Sequence, residues 1–537
     1  VVILKMNNTA LLDCTLRDGG YVNHFHFGRQ TITKIIDKLT EAKIDIIECG
    51  FLISGKKDPD ASLFGSVEDI GRHLNRKDSA IMYVAMIAYG DISNDEISVY
   101  DGSSIDGIRI TFHEHEIEPA FLLGEQLKNK GYQIFMQPVG TMSYSDLQLI
   151  HLIEKINQLK PFAFYLVDTL GTMYKNDLLR MFYLVDHNLD GGIAVGFHSH
   201  NNLQLSFSNA QELLEIQTSR KIIIDSSVFG MGRGAGNLCT ELITRFINDN
   251  LTKRYQITPL LEIVDEHLNK IFSVTPWGYS VPYYLAAANG CHPNYSSYLL
   301  NKQTLTVTSI NAILKKLSPD QRHLFDRELI QSLYQEFQEY DIDDSKVLEN
   351  LTNRFSGHSI LVLAPGKTLL SHQKEIQQVI SSQAPIVVSI NFFPQYFPVN
   401  VLFVSNAKRF QQLEHINIPK ELTVIATSNL KSSIGEVVNY SGLVDEAYEE
   451  SDNSGIMCLK LLKKCGVNEA YLAGFDGFTI HNQANYTEDS LINRVEREAL
   501  IKKNAAVTEQ IRNLQKKMKL HFVTPSLYQK EDDNEAL

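Results

Sequence analysis

Residues 11–21 read LLDCTLRDGGY. The apolar run LLDCT has the composition of a short buried strand. It runs straight into a polar turn made by Arg17, Asp18 and two glycines, residue types that end strands and let the backbone take positive φ or approach a ligand closely. A guanidinium and a carboxylate side by side where a first strand ends mark a candidate site. A salt-bridged βα loop is the other reading of the same residues.

Outward from this stretch, apolar runs alternate with helical patterns as far as about residue 250. Strands are predicted at Ala10–Cys14, Ile44–Cys49, Ile81–Ile87, Gly107–Thr111, Gln133–Pro138, Ala163–Val167, Ile193–His198 and Ile222–Ser226. Amphipathic helical segments such as Thr31–Ala42, Pro119–Lys130 and Tyr144–Leu159 separate them. Continuous Val/Ile/Leu strands between helices imply an α/β protein with a parallel sheet buried on both faces. Eight such units predict a (β/α)8 TIM barrel with its active site at the C-terminal strand ends. An open doubly wound sheet is the alternative.

The strand ends support an active site there. Arg17 and Asp18 follow the first strand and Glu48 ends the second. Arg109 and His113 belong to the fourth, Gln137 to the fifth, Asp168 and Thr169 to the sixth, and His198 and His200 to the seventh. So much buried polarity is costly unless the groups pair or bind something. In His198-Ser199-His200 the two imidazoles, spaced i and i+2, fall on one face of a strand. With a carboxylate such as Asp18 they suit Mn²⁺, Mg²⁺, Fe²⁺ or Zn²⁺. A pair of solvated loop histidines is the plainer reading. The loop after the eighth strand, SSVFGMGRGAGNLCTE (226–241), is glycine-rich and leads into a helix at about Leu238. It lacks the phosphate-loop spacing. Its glycines suit a backbone folded over the barrel mouth, with Asn237 within reach of the metal region and Glu241 supporting the loop or capping the helix.

TLRDGG (15–20), IECGF (47–51), GFHSHNN (196–202) and GMGRGAGN (230–237) occur in order at the expected strand ends. In these motifs the first half of the chain resembles the metal-dependent aldolase/lyase superfamily of TIM barrels, which includes HMG-CoA lyase, isopropylmalate synthase and 4-hydroxy-2-oxovalerate aldolase. LRDGGY and GRGAGN look most like the hydroxy-oxovalerate aldolase branch. The glutamate and glutamine that the Claisen-condensing synthases carry after RDG are missing, as is the cysteine of the CoA lyases' last glycine loop. The resemblance implies that Asp18, His198 and His200, with Asn237, hold a divalent metal, Mn²⁺ or Mg²⁺. It implies that Arg17 stabilises the enolate of a pyruvate unit, which is joined to or cleaved from an aldehyde. Tyr21 stands where the aldolases carry a histidine, so the base falls to Tyr21, His24 or His26, with His113 and Tyr279 as further options. Glu48, Arg109, Gln137 and Asp168 would shape the substrate pocket or serve as structural hydrogen-bond partners. A Claisen-type acyltransferase or a CoA lyase on the same barrel is the alternative activity. The aldolases' partner dehydrogenase is not carried over.

Three regions are expected: a barrel over 1–255, a helical extension and connector over 256–350, and a Rossmann-like α/β domain over 351–530. In the last, SILVLAPGKTLL reads as strand, turn and helix, with further strands at Ile386–Ile390, Val401–Val404, Leu422–Ile425 and Ala470–Ala473 and a helix over Asn453–Cys465. DNSGIMCLKLLKKCGVNEAYLAGFDGF (452–478), APGKTL and SINFF weakly resemble Rossmann-like bacterial sialyltransferases and related polysaccharide-locus proteins. That resemblance implies nucleotide or nucleotide-sugar contacts at Gly366, Asn391, Ser454, Gly455 and Asp476, with His481 a candidate base. A transferase activity there, or an aldehyde derived from a sugar, would follow.

Composition excludes several classes. Fifty Lys and Arg against 63 Asp and Glu give a formal charge of −13, which argues against nucleic acid or an anionic membrane as the main partner. The six scattered cysteines form no CxxC pair and suit reduced thiols of a cytoplasmic protein. No apolar run reaches the length of a membrane span. The opening VVILK is too short for a signal peptide, with Met6 a possible initiator, and the acidic end EDDNEAL is expected to be disordered. Small-molecule substrates are expected, and a homo-oligomer is compatible with this reading.

Overall fold

The computed structural model describes residues 8–322, 324–413, 419, 421–432, 434–445, 447–448, 451–479, 486–487 and 497–529. Met6, His481 and the acidic end lie outside the described residues. The chain divides into two compact units, one of residues 1–296 with 318–325 and one of 297–317 with 326–537.

In the first unit the parallel strands are β1 (Thr9–Asp13), β2 (Ile46–Leu52), β3 (Leu63–Phe64), β4 (Met82–Ala88), β5 (Gly107–Phe112), β6 (Gln133–Pro138), β7 (Ala163–Asp168), β8 (Ala194–Ser199) and β9 (Ile222–Ser226). Their order is β1-β9-β8-β7-β6-β5-β4-β2-β3, and β1 also pairs with β2. That extra pairing closes eight strands into a ring and leaves the two-residue β3 on the flank of β2. The fold is therefore a (β/α)8 barrel, not an open sheet. Inward-facing apolar side chains such as Leu12, Ile46, Val84, Phe135 and Ile223 fill the ring. A larger cluster packs the outer faces of the strands against the helices. The second strand runs three residues beyond its predicted end. The register of β2 against β4 shifts between Glu48 and Phe51. Such a bulge re-aims the neighbouring side chain, here Glu48. Gly50 permits it, with φ +148° and a Cβ position only 2.2 Å from the Ser62 carbonyl.

After the barrel come helices at Thr258–Ile263, Asn269–Val274, Val281–Ala288 and Pro293–Lys302. Trp277, between two of them, donates its indole N–H to the Phe229 carbonyl at 2.9 Å. The segment is thereby pinned to the glycine-rich loop at the C-terminal end of the barrel.

The second unit is a seven-stranded parallel sheet. It contains β10 (Ile360–Leu363), β11 (Ile386–Ile390), β12 (Val401–Val404), β13 (Thr423–Thr427), β14 (Glu436–Val438), β15 (Glu469–Ala473) and β16 (Lys519–Phe522), in the order β14-β13-β12-β11-β10-β15-β16. The order reverses between β10 and β15, the doubly wound arrangement that opens a crevice at the carboxyl ends of those strands. The helix Ser454–Lys464 is capped by Asn453, whose Oδ1 accepts from the N–H groups of Gly455 and Ile456. Sequence reading finds five of these strands and misses both edges. β14 is three residues long, and β16, KLHF, is half-exposed throughout. Short polar strands are what sheet edges favour, and they lack the apolar run by which a central strand is read.

Candidate metal centre

The turn after β1 brings Arg17 and Asp18 into the barrel top, both almost fully buried. Arg17 donates from NH1 to Asp18 Oδ1 at 2.7 Å and from Nε to Glu48 Oε2 at 2.8 Å. The same Glu48 oxygen pairs with NH1 of Arg109 at 2.8 Å. Arg109 lies with its Cζ 4.8 Å from the centre of the Tyr165 ring and donates through NH2 to Asp225. Asp225 Oδ2 in turn lies 3.0 Å from His198 Nδ1. One continuous chain of buried charge thus runs Asp18–Arg17–Glu48–Arg109–Asp225–His198. Both alternatives for Arg17 and Asp18 therefore hold together: they form a salt bridge, and the bridge is one link of a candidate site.

Asp18, His198 and His200 each offer a ligand atom, and the three atoms lie within 4.8 Å of one another. Asp225 accepts, so His198 donates to it from Nδ1, the arrangement in which a carboxylate orients a metal-binding imidazole. Burial drives the His200 pKa down to about 3, against the pull of Asp18, so its ring is neutral at ordinary pH. Burial also acts to raise the pKa of Asp18, but Arg17 first and His200 next hold its carboxyl well below the usual range. Asp18 Oδ2 accepts from Asn237 Nδ2 at 2.6 Å and lies 3.8 Å from His200 Nδ1.

The fit of a divalent cation can be tested on the residues themselves. Among the described residues, buried polar atoms without a hydrogen-bond partner include His200 Nδ1, Asn237 Oδ1, Arg17 NH2 and Gln137 Nε2. Leaving such atoms unpaired is costly. In the chain of charge, two guanidiniums face three carboxylates, a net charge of minus one. An oxygen-and-imidazole donor set carrying negative charge suits a hard or borderline divalent ion. The residues present therefore fit the group.

The glycine-rich loop secures the fourth candidate. An antiparallel bridge links His200 to Asn237, and Glu241 Oε2 accepts from the Phe229 N–H at 3.0 Å. A Cβ on Gly232 would stand 2.4 Å from Asn237 Nδ2 and 3.0 Å from Asp18 Oδ2. Only a bare backbone lets the loop lie this close to the Asp18–Asn237 contact.

The other predicted residues are placed as follows. Gln137 is buried at the end of β6. Asp168 ends β7, and its two oxygens accept from the N–H groups of Thr172 and Met173 at 2.9 and 3.0 Å, which ties its carboxylate into its own loop. Burial raises its pKa to about 6. The Tyr21 ring lies 4.1 Å beneath the Arg233 guanidinium, with its edge toward Phe25 and Phe51. Burial raises the Tyr21 hydroxyl pKa, opposed by Arg233. His24 and His26 are exposed, and His26 pairs with Asp58 at 3.3 Å. His113 stacks on His115, and Tyr279 is exposed. Sequence reading missed Asp225 and Arg233. A charged residue inside IIIDS was the available signal for Asp225; for Arg233 it was a single cation among loop glycines.

Residues 8–265 match the HMGL-like family. The match spans the barrel, just under half of the chain. An oxaloacetate decarboxylase of Mycobacterium tuberculosis is 26% identical over 241 residues, 43% of this chain and 68% of that protein. A 4-hydroxy-2-oxovalerate aldolase of Chloroflexus aurantiacus is 26% identical over 253 residues, 45% of this chain and 70% of that protein. The HMG-CoA lyase structure from Brucella melitensis superposes with a TM-score of 0.39 at 15% identity, covering 47% of this chain and 95% of that one. Among the described residues, no helix is long and apolar enough to cross a membrane.

Proposed function

We propose that the barrel is a divalent-metal-dependent aldolase, using Mn²⁺ or Mg²⁺, that makes or cleaves the C–C bond between a pyruvate enolate and an aldehyde. The observation that carries this reading is the Asp18–His198–His200 donor set with the unpartnered NH2 of Arg17 buried beside it. A divalent ion held there supplies Lewis acidity to the keto oxygen as negative charge develops. Arg17 is fixed on two sides by Asp18 and Glu48, so its remaining N–H donors are preorganised for the enolate oxygen without reorganisation during the reaction. Asp225 orients His198 through its Nδ1. Gln137 supplies a further donor to the carboxylate of the pyruvate unit. Tyr21, kept protonated by burial, serves as hydrogen-bond and proton donor to the aldehyde oxygen in the direction of synthesis. A sugar-derived aldehyde suits the polar flank formed by Tyr21 and Arg233.

The test is to load the full chain with Mn²⁺ or Mg²⁺, incubate it with pyruvate and a panel of simple and sugar-derived aldehydes, and look for the 4-hydroxy-2-oxoacid. No product with any aldehyde, together with no retained metal, overturns the reading. Release of thiol from acetyl-CoA would instead favour the acyltransferase alternative.

A second reading is decarboxylation of a 2-oxo-dicarboxylate such as oxaloacetate, which passes through the same enolate. Tyr21 favours it: a phenol with a raised pKa is a poor base at neutral pH, and decarboxylation needs no base to deprotonate a hydroxyl. Carbon dioxide release from oxaloacetate without aldehyde-dependent turnover would select it.

A further inference from the structure

At the crevice of the second unit the polar groups satisfy one another. Gly366, Asn391, Ser454, Gly455 and Asp476 line one cavity there, but their hydrogen bonds build its wall. Gly366 N–H donates to the carbonyls of Ala364 and Gly474 at 2.9 and 3.1 Å. Asp476 Oδ2 accepts from the Thr368 N–H at 2.9 Å, and its Oδ1 from the Thr368 hydroxyl. Asn453 closes the start of the helix Ser454–Lys464, and Ser454 Oγ is held by Asn391 Nδ2 at 2.6 Å and Ser405 Oγ at 2.8 Å. The rim of the metal centre is built the other way.

Arg233 follows Gly232, whose Cβ position lies 3.0 Å from Asp18 Oδ2. Its backbone is fixed. The Gly236 N–H donates to the Arg233 carbonyl at 3.1 Å, the Asn237 N–H to the Gly230 carbonyl at 3.0 Å, and the Ala235 N–H to Asn202 Oδ1 at 2.9 Å. The half-buried guanidinium lies 4.1 Å from the centre of the Tyr21 ring. Arg17 and Arg109 spend their charge on buried carboxylates. Among the described residues no carboxylate pairs with Arg233. Asp18 is engaged by Arg17 and Asn237, and Asp91, whose charge also acts on Tyr21, makes no ion pair with Arg233. The other neighbours are neutral. Burial keeps the Tyr21 hydroxyl protonated. Burial first and Arg233 next lower the His292 pKa to about 4, and His292 Nδ1 accepts from the Asn294 N–H at 3.2 Å, which leaves its proton on Nε2. A guanidinium whose fork of donors lacks an acceptor matches the paired oxygens of a carboxylate or phosphate. This one stacks on Tyr21, the side chain that the proposed reaction sets against the aldehyde oxygen. We infer that Arg233 binds a negatively charged group, a carboxylate or a phosphate, on the aldehyde, so that the partner of pyruvate is an anionic aldehyde. The inference rests on the aldolase reading and narrows its substrate class.

The test has two arms. In the first, the full chain without added metal is titrated calorimetrically with two unreactive anions, glycerol 3-phosphate and 4-hydroxybutyrate, each against its neutral counterpart, glycerol or butanediol. At least one anion is expected to bind about tenfold more tightly than its counterpart. Arg233→Met should remove that advantage and Arg233→Lys, which keeps the charge but not the fork, should retain part of it, both with an unchanged circular dichroism spectrum. No advantage in the wild type, or one that survives in Arg233→Met, overturns the inference. In the second arm, the metal-loaded chain is given pyruvate with glyceraldehyde 3-phosphate against glyceraldehyde, and succinic semialdehyde against its methyl ester. The charged member of at least one pair is expected to have the higher kcat/KM, and that pair tells phosphate from carboxylate. Equal kcat/KM within both pairs overturns the inference and leaves the aldolase reading standing. Turnover of no aldehyde, charged or neutral, overturns the aldolase reading instead, and the titration alone then decides whether Arg233 holds an anion.

Discussion

Asp18 and Asp476 both follow the C-terminal end of a parallel strand, and both are held in place by neighbouring donors. Asp476 closes on its own unit: the Thr368 N–H and hydroxyl take its two oxygens and tie the β10 and β15 turns together. Asp18 gives one oxygen to Arg17 and the other to Asn237, and it faces two imidazoles that offer further donor atoms. A carboxylate whose surroundings leave polar atoms unpaired is poised for a ligand, whereas one whose partners are all internal is a fastener.

The contrast breaks most visibly at Asp18. Asp18→Asn is expected to strip the metal from the purified protein, as measured by elemental analysis, and to lower turnover on the order of a thousandfold, about 4 kcal/mol of transition-state stabilisation. Full metal retention in this variant would reduce Asp18 to the role of a fastener. Asp225→Asn probes the far end of the chain of charge. It leaves the buried Arg109 without one of its two carboxylates, and breaking a buried pair costs about 3 kcal/mol. Urea denaturation of the barrel should show that loss, and metal affinity should fall with it because His198 loses its orienting acceptor.

Gly232→Ala separates position from charge. The added methyl would meet Asn237 Nδ2 and Asp18 Oδ2. Metal affinity should fall roughly 10- to 100-fold, as for other changes that displace a ligand through its neighbours. Gly192→Ala is the control, since nothing lies within 4 Å of its Cβ position. Equal metal affinity in the two variants would show that the loop has room to shift.

The barrel and its pair of buried histidines were legible because they are periodic. Buried strands announce themselves as apolar runs, and His198 and His200 sit two residues apart where one such run ends. Asp225 was hidden because its function is relational: it matters through Arg109 and His198, which are distant in sequence and meet it only when the ring closes. Gly366 and Asp476 were legible as a turn and an acid. That they satisfy each other's surroundings was not, because a hydrogen-bond partner 108 residues away leaves no trace in composition.

The smallest effect concerns a third strand-end carboxylate, Asp13, which is a fastener like Asp476 but sits within the barrel. Its oxygens accept from the Thr15 N–H at 2.9 Å and the Thr240 hydroxyl at 2.6 Å. Burial raises its pKa to about 6, with the hydrogen bonds from Thr240 and Thr15 opposing. Between about pH 4 and pH 6 the folded protein therefore holds a proton that the unfolded chain has released, and stability rises as pH falls. The contribution is fully present below the unfolded carboxyl's pKa of 3.8 and is lost as pH rises through about 6. Asp13→Asn keeps the geometry: the amide oxygen accepts from Thr15, and the amide nitrogen donates to the Thr240 oxygen, whose own proton turns to Ser226 Oγ at 2.8 Å. Relative to wild type, the variant should therefore be more stable at pH 7 than at pH 4 by about 2 kcal/mol, read as the difference between two denaturation series. A difference independent of pH would mean that Asp13 titrates alike in both states, and that this fastener, unlike Asp18, carries no buried charge to exploit.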